Sequence, residues 1–353
     1  MHRMTSLARH HPLPASPATP GFGLPLLFAM RRDYLGFCAG LQRAHGDRVS
    51  MRVAGRNLLD LYDPALLREA LVDHAEALVR WERGPEVFAE FVGQSVLVTE
   101  GATWQRQRRM LMPAFMPRRV AALGGLMNAA ANEALAQALP AGATPALLDM
   151  GHWFARLTMD IILRTLFGRA AGPEAGQACA DMQVLGETAM RELFWPVTLP
   201  DWLPLPGKRA KREARARMLA LVGAQVRPRL ASPRPAPGAE PADLLDALLA
   251  LRDEATGQPL ADQEILDQCQ VSFQAGHDST ATALTWWSWL MASHPEAAAR
   301  ATAEVDAAPA DADAGALPWL EATLKETLRL YPPVPALMTR RATRTFQLAG
   351  HPV

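Results

Sequence analysis

Residues 260–294, LADQEILDQCQVSFQAGHDSTATALTWWSWLMASH, read as one uninterrupted helix. Apolar residues flank its centre on every side: Ile265, Leu266, Val271 and Phe273 before it, Leu284, Trp286, Trp287, Trp289 and Leu290 after it. No proline intervenes until Pro295, and Asp262 and Glu264 sit where the positive end of a helix dipole favours acids. A helix that is apolar all round is a buried one, so the pattern predicts a long helix threaded through a domain core. In its middle stand Ala275-Gly276-His277-Asp278-Ser279-Thr280. Glycine costs about 1 kcal/mol against alanine in a helix interior, and a buried carboxylate costs more unless it is paired. An Ala-Gly pair also lets a flat, bulky group come close to the backbone. Rule-breaking of this kind marks a working site.

The rest of the chain supplies a helical frame for that segment. Residues 1–25 carry Pro12, Pro14, Pro17, Pro20 and Pro25 and read as an extended arm. A helical pattern runs from Arg31 to His45. Val49, Met51 and Val53 then alternate, a turn is expected at Gly55-Arg56-Asn57, and Leu59 and Leu61 alternate again, which predicts a hairpin. Beyond Pro64 the period is helical over 64–79, 103–115, 119–138, 150–167, 176–193, 208–229 and 242–252, then over the central helix, 295–306 and 317–330. Two proline-rich breaks, Pro196–Pro206 with Trp195 and Trp202 and Ser232–Pro241, interrupt this pattern without changing its kind. The fold class is therefore mainly α with a small β part, as one domain over 26–353.

Composition narrows the class of function. At 353 residues with 49% hydrophobic and 20% charged residues, the chain can bury a sizeable core. Lys plus Arg and Asp plus Glu both number 36, so bulk charge argues for neither nucleic acid nor an anionic membrane as partner. Cys38, Cys179 and Cys269 lie far apart, with no metal or disulfide spacing, which suits a reducing compartment. No charge-free run of about 18 apolar residues predicts a membrane span, and the N-terminus lacks a secretory apolar core. The expected location is cytoplasmic.

Three constellations can carry chemistry. Glu326 and Arg329 in Lys325-Glu326-Thr327-Leu328-Arg329-Leu330 share a helix face at i, i+3 and can pair; alone, such a pair reads as a solvated surface contact. Trp104 and Arg108, four apart, set an indole N–H beside a guanidinium, a donor set suited to a carboxylate; alone, they read as a basic surface with a half-buried tryptophan. Asp278 and Ser279 can act as a proton-delivery pair, or the hydroxyl can simply bond back to a helix carbonyl. His277, two residues from Ser279, points to roughly the opposite side and reads as packing. No P-loop, G-x-G-x-x-G, G-x-S-x-G or H-E-x-x-H is present.

In order and spacing, these signals together resemble the cytochrome P-450 haem-thiolate monooxygenases. The W-x-x-x-R helix matches at Trp104 and Arg108, the A-G-x-D/E-T motif at Ala275–Ser279, and the E-x-x-R motif at Glu326 and Arg329. Thr165-Leu166-Phe167-Gly168, Asp243-Leu244-Leu245, His294-Pro295-Glu296, Tyr331-Pro332-Pro333 and a strand at Arg340-Arg341-Ala342 fill the intervals. The resemblance implies haem b with its iron as cofactor, O2 and an apolar small molecule as substrates, and a separate electron donor, a ferredoxin or a flavodoxin/reductase. It implies that Trp104, Arg108 and Arg340 hold the haem propionates and that Ala275 and Gly276 lie over the porphyrin as an oxygen groove. Asp278 and Ser279 would relay protons, and Glu326 and Arg329 would lock the haem-side core. Residues 87–98 and 195–206 would be loops shaping substrate access.

The chain departs from the family pattern twice. Ser279 stands where the family usually has threonine, which keeps the hydroxyl but loosens its rotamer. The haem-binding loop F-x-x-G-x-x-x-C-x-G has no counterpart before His351-Pro352-Val353, so the resemblance implies a cytochrome P-450 fold incomplete at its C-terminus, with the axial cysteine outside this sequence and no metal ligand within it. The alternative expectation is a catalytically inactive helical fragment, haem-free or weakly haem-binding, that exposes apolar surface.

Overall fold

The computed structural model describes residues 23–139, 147–195, 198–235, 240–309, 314–335 and 339–353. Most of the expected proline-rich arm, and parts of the breaks at 196–206 and 232–241, lie outside the described residues. The chain divides into two compact units, one of Met1–Gly84, Met190–Thr198 and Met338–Val353, the other of Pro85–Ala189 and Leu199–Leu337.

In the smaller unit, helices α1 (Leu24–Arg32) and α2 (Tyr34–His45) pack on an antiparallel hairpin of β1 (Arg48–Val53) and β2 (Arg56–Leu61). Asp33 starts α2 by accepting the Gly36 N–H at 2.9 Å, an ordinary N-cap. Alternation buries Val49, Met51 and Val53 against Leu41. The turn lies one residue earlier than the sequence pattern suggested. Ala54 and Gly55 both take positive φ, at 48° and 79°, the twist a two-residue hairpin demands, and Arg56 and Asn57 already belong to β2. Helix α3 (Pro64–Arg68) follows, capped by Asp63, and β3 (Leu78–Arg80) pairs antiparallel with β4 (Arg340–Ala342). The short strands β5 (Gln347–Leu348) and β6 (His351–Pro352) form a third two-stranded sheet.

The larger unit is helical: α4 (Arg83–Val92, all but its first two residues), α5 (Gly101–Leu111), α6 (Pro117–Ala122), α7 (Gly124–Ala138), α8 (Met150–Phe167), α9 (Ala175–Leu193, as far as Ala189), α10 (Lys208–Leu230), α11 (Leu244–Ala250), α12 (Asp262–Ser293), α13 (Pro295–Ala307) and α14 (Pro318–Leu330). Its core joins Phe91, Met110, Met159, Leu163, Leu166, Met218, Val222, Leu248, Ile265 and Phe273. Burying a side chain such as Phe273, with none of its surface exposed, contributes about 1.5–3 kcal/mol. Helix α12 lies longest against α8 and also packs on α10 and α14.

Two expectations need correction. Residues 87–92 are helix, not loop, because Val87, Phe88, Phe91 and Val92 recur at helical spacing and turn into the core. Helix α12 is also not buried along its whole length. Ile265, Asp267–Val271 and Phe273 are buried, but Ala275, Asp278, Trp286 and Trp289 are exposed, because the surrounding helices cover only the opposite side of the later turns.

Candidate active site

At about 100° per residue, Ala275 and Ser279 share one face of α12 while His277 points away from both. The structure follows that geometry. Ala275 is exposed, Ser279 half-buried, and the Ser279 hydroxyl donates to the Ala275 carbonyl at 2.8 Å. Asp278 is exposed beside them. His277 is buried at 2% exposure, its Nε2 lying 2.9 Å from the Ala155 carbonyl of α8 and 3.5 Å from Cys179 Sγ of α9. Burial holds His277 below the usual imidazole range, against the opposing pulls of the Ala155 bond and the Asp278 charge. A Cβ on Gly276 would lie 2.8 Å from Ile162 Cδ1 of α8, so the missing side chain admits a close helix–helix approach.

Trp104 and Arg108 lie together on α5, the guanidinium 5.5 Å from the indole centroid. Helix α5 is tied to the first turn of α12, where Arg106 and Gln107 both donate to Glu264 Oε1. Glu264 Oε2 accepts the Ala261 N–H at 3.0 Å, which caps α12. Burial raises the Glu264 carboxyl, but the bonds from Ala261, Arg106 and Gln107 outweigh it and leave the group below its ordinary value. Glu326 and Arg329 form a two-pronged pair, at 2.6 and 2.8 Å, on an exposed face of α14. Arg340 stands in the smaller unit, exposed on β4 opposite Arg80, and its neighbour Arg341 pairs with Glu82 at 2.5 Å.

The cysteines are free thiols set in three different places. Cys38 lies on α2, Cys179 on α9 against His277, and Cys269 in the core with its thiol pushed by burial to about 12. None shares the Ala275–Ser279 face.

Sequence reasoning overlooked the polar side of α12's first half. Asp267 Oδ2 accepts the Gln94 N–H at 2.8 Å, Gln268 Oε1 accepts the Val96 N–H at 3.2 Å, and Gln274 Nε2 donates to the Phe91 carbonyl at 2.9 Å. These side chains hold the end of α4 and the segment after it against α12. Gly93 takes φ +59°, and a Cβ there would fall 2.1 Å from the Asp267 carboxylate. The readable signal was the recurrence of Asp267, Gln270 and Gln274 at helical spacing inside an otherwise apolar half-helix. At the other end, Trp286 stacks on Tyr331 at 4.2 Å and Trp287 Nε1 donates to Thr323 Oγ1 at 2.9 Å, which joins α12 to α14.

The family model for cytochrome P450 matches residues 13–353, and the chain belongs to that family of haem monooxygenases. It is 34% identical to cyclooctatin synthase of Streptomyces melanosporofaciens over 94% of this chain and 72% of that protein. It is 30% identical to cyclooctat-9-en-7-ol 5-monooxygenase of the same organism, over 96% of this chain and 74% of the relative. A rice protein, cytochrome P450 734A6, is 30% identical over 83% of this chain and 57% of its own length.

Haem is the cofactor the family implies, and the residues of the open face fit it. Ala275 and the small Ser279 leave that face low, and the exposed Arg108 guanidinium beside Trp104 suits a carboxylate. No helix of the described residues is long and apolar enough to cross a membrane.

Proposed function

We propose that this protein hydroxylates an apolar small molecule, using O2 and electrons from a separate ferredoxin or flavodoxin/reductase, in the cytoplasm. Haem, when bound, supplies the iron at which O2 is reduced and the substrate oxidised. The chain's own residues bind, orient and deliver protons. Arg108, with Trp104 beside it on α5, would hold a haem propionate through charge-assisted hydrogen bonds. Ala275 keeps the face of α12 low, and Gly276 brings that stretch close to α8. Asp278, exposed beside Ser279, exchanges protons with water. Ser279 Oγ, oriented by its bond to the Ala275 carbonyl, holds the proton donor on the reacting side. The Glu326–Arg329 pair acts as a structural lock on α14. The Streptomyces relative named for oxygenating cyclooctat-9-en-7-ol points to an alcohol of that kind as the substrate.

The observation that carries this reading is the Ala275–Ser279 face, with its oriented hydroxyl next to an exposed acid. The test is haem uptake by the purified chain and, in the loaded protein supplied with a ferredoxin and its reductase, formation of a product one oxygen heavier than cyclooctat-9-en-7-ol. Arg108→Ala is expected to weaken haem affinity by roughly tenfold, the scale of one hydrogen bond to a charged group. A chain that takes up no haem would return the inactive helical reading to the front.

A further inference from the structure

Helix α12 has a problem of orientation that apolar burial alone does not solve. Asp267, Gln268 and Gln274 give its first half directional bonds, but the turns around the open face hold mostly apolar contacts, and the hydrophobic effect has no direction, so burial alone fixes the rotation of those turns loosely. A directional contact is needed to set which face is open. His277 supplies one. The imidazole is 2% exposed, and its Nε2 lies 2.9 Å from the Ala155 carbonyl. A carbonyl only accepts, so Nε2 carries the hydrogen. Nδ1 is buried without a partner, and a proton there would be an unsatisfied charge. The ring is thereby confined to the neutral tautomer protonated at Nε2. From α9, Cys179 Sγ comes within 3.7 Å of the same carbonyl, and from α8 itself Thr158 Oγ1 reaches it at 3.2 Å. Three helices thus meet at one oxygen.

We propose that His277 is a positioning residue: through the Ala155 carbonyl it sets the rotation of α12, and so the placement of Ala275 and Ser279 on the opposite face. The inference rests on the reading of that face given above. Its leverage follows from helix geometry. An atom about 5 Å from the axis moves by about 1 Å when the helix turns by about 10°, and a misplacement of about 1 Å can cost about 10²-fold in a reaction.

Two readouts that use no haem test it, both on the full chain. In 15N-histidine spectra at about pH 7.5, the His277 signals are expected to show Nε2 protonated and Nδ1 unprotonated. Hydrogen exchange at amides 275–282 is expected to speed up about tenfold in His277→Leu, relative to amides 265–271, which is the worth of one net hydrogen bond. His277→Gln keeps an N–H donor and is expected to restore most of that protection. An Nδ1-protonated ring, unchanged exchange in His277→Leu, or a glutamine variant no better protected than the leucine variant would each overturn the proposal, the last by showing that only packing matters. Failure of the unmutated chain to take up haem would sink the proposed function and leave both histidine readouts interpretable.

Discussion

Ser279 already spends its hydroxyl proton on the Ala275 carbonyl, so its oxygen is held with lone pairs facing the open side. Removing that oxygen in Ser279→Ala should cost little stability at a half-exposed helix position, yet remove an oriented proton-holding group. Positioned proton transfer contributes about 10²–10⁴-fold, so product formed per O2 consumed is expected to fall by roughly tenfold or more in the alanine variant. Ser279→Thr restores a β-branched side chain with a stiffer χ1 and is expected to raise the same ratio above that of the unmutated chain. Undiminished coupling in Ser279→Ala would remove Ser279 from the relay. Gly276 poses a packing question instead. An added Cβ meets only the tip of Ile162, at 2.8 Å, and that tip can shift. Gly276→Ala is therefore expected to change stability little, the gain of about 1 kcal/mol in helix propensity offsetting the squeeze. Gly276→Val should destabilise by about 1–3 kcal/mol through overpacking. Denaturant midpoints of both variants, with and without Ile162→Val, would show whether Ile162 is the residue that matters.

At the scale of elements, α12 is anchored at its first turn. Glu264 caps the helix through the Ala261 N–H and receives Arg106 and Gln107 from α5. Because its carboxyl lies below the ordinary value of 4.5 in the folded chain, it contributes stability that is present above 4.5 and lost as pH falls through the folded value. Glu264→Gln keeps the shape but drops the charge, and is expected to cost about 1–2 kcal/mol at neutral pH. Urea unfolding at neutral and acidic pH should show the gap between the two proteins closing in acid; a constant gap would mean the charge is irrelevant. The helices of the larger unit were largely legible from spacing alone, since apolar residues every three or four positions define α8, α10 and α14. Helix α4 was not, because Pro85 and Gly93 bracket only seven residues and resemble loop punctuation. The Asp267 and Gln274 contacts to the end of α4 and the residues after it were also hidden, because their backbone partners lie more than 170 residues away. Motif order grouped Trp104, Arg108 and Ala275–Ser279 only through the family resemblance. It did not reveal the work of His277, since a buried imidazole looks the same in sequence whether it packs or bonds.

For the whole molecule, these buried groups shape stability against pH with opposite signs. Burial raises the Asp267 carboxyl above 3.8, so it costs stability at neutral pH and the chain regains some as pH falls through that raised value. The Asp201 carboxyl, which burial raises but Lys208 and Lys211 pull down further, does the reverse below 3.8. His277 acts first on the way down. Its folded value lies below 6.5, so above 6.5 the ring is neutral in both folded and unfolded chains and pH has no hold on it. Below 6.5 the unfolded chain binds a proton that the folded ring resists, and stability declines until the folded value is passed. The charges around the ring are few: Asp278 on its own helix favours protonation, and Arg156 of α8, exposed, acts on the adjacent Cys179 thiol. An initial acid limb is therefore expected in a plot of unfolding free energy against pH, beginning near 6.5. His277→Gln, which cannot titrate there, should flatten that limb while leaving the Glu264 and Asp201 losses at lower pH in place. If the limb persists unchanged in His277→Gln, the ring is protonated as readily folded as unfolded, and its confinement between α8 and α9 is looser than the 2.9 Å bond to Ala155 implies.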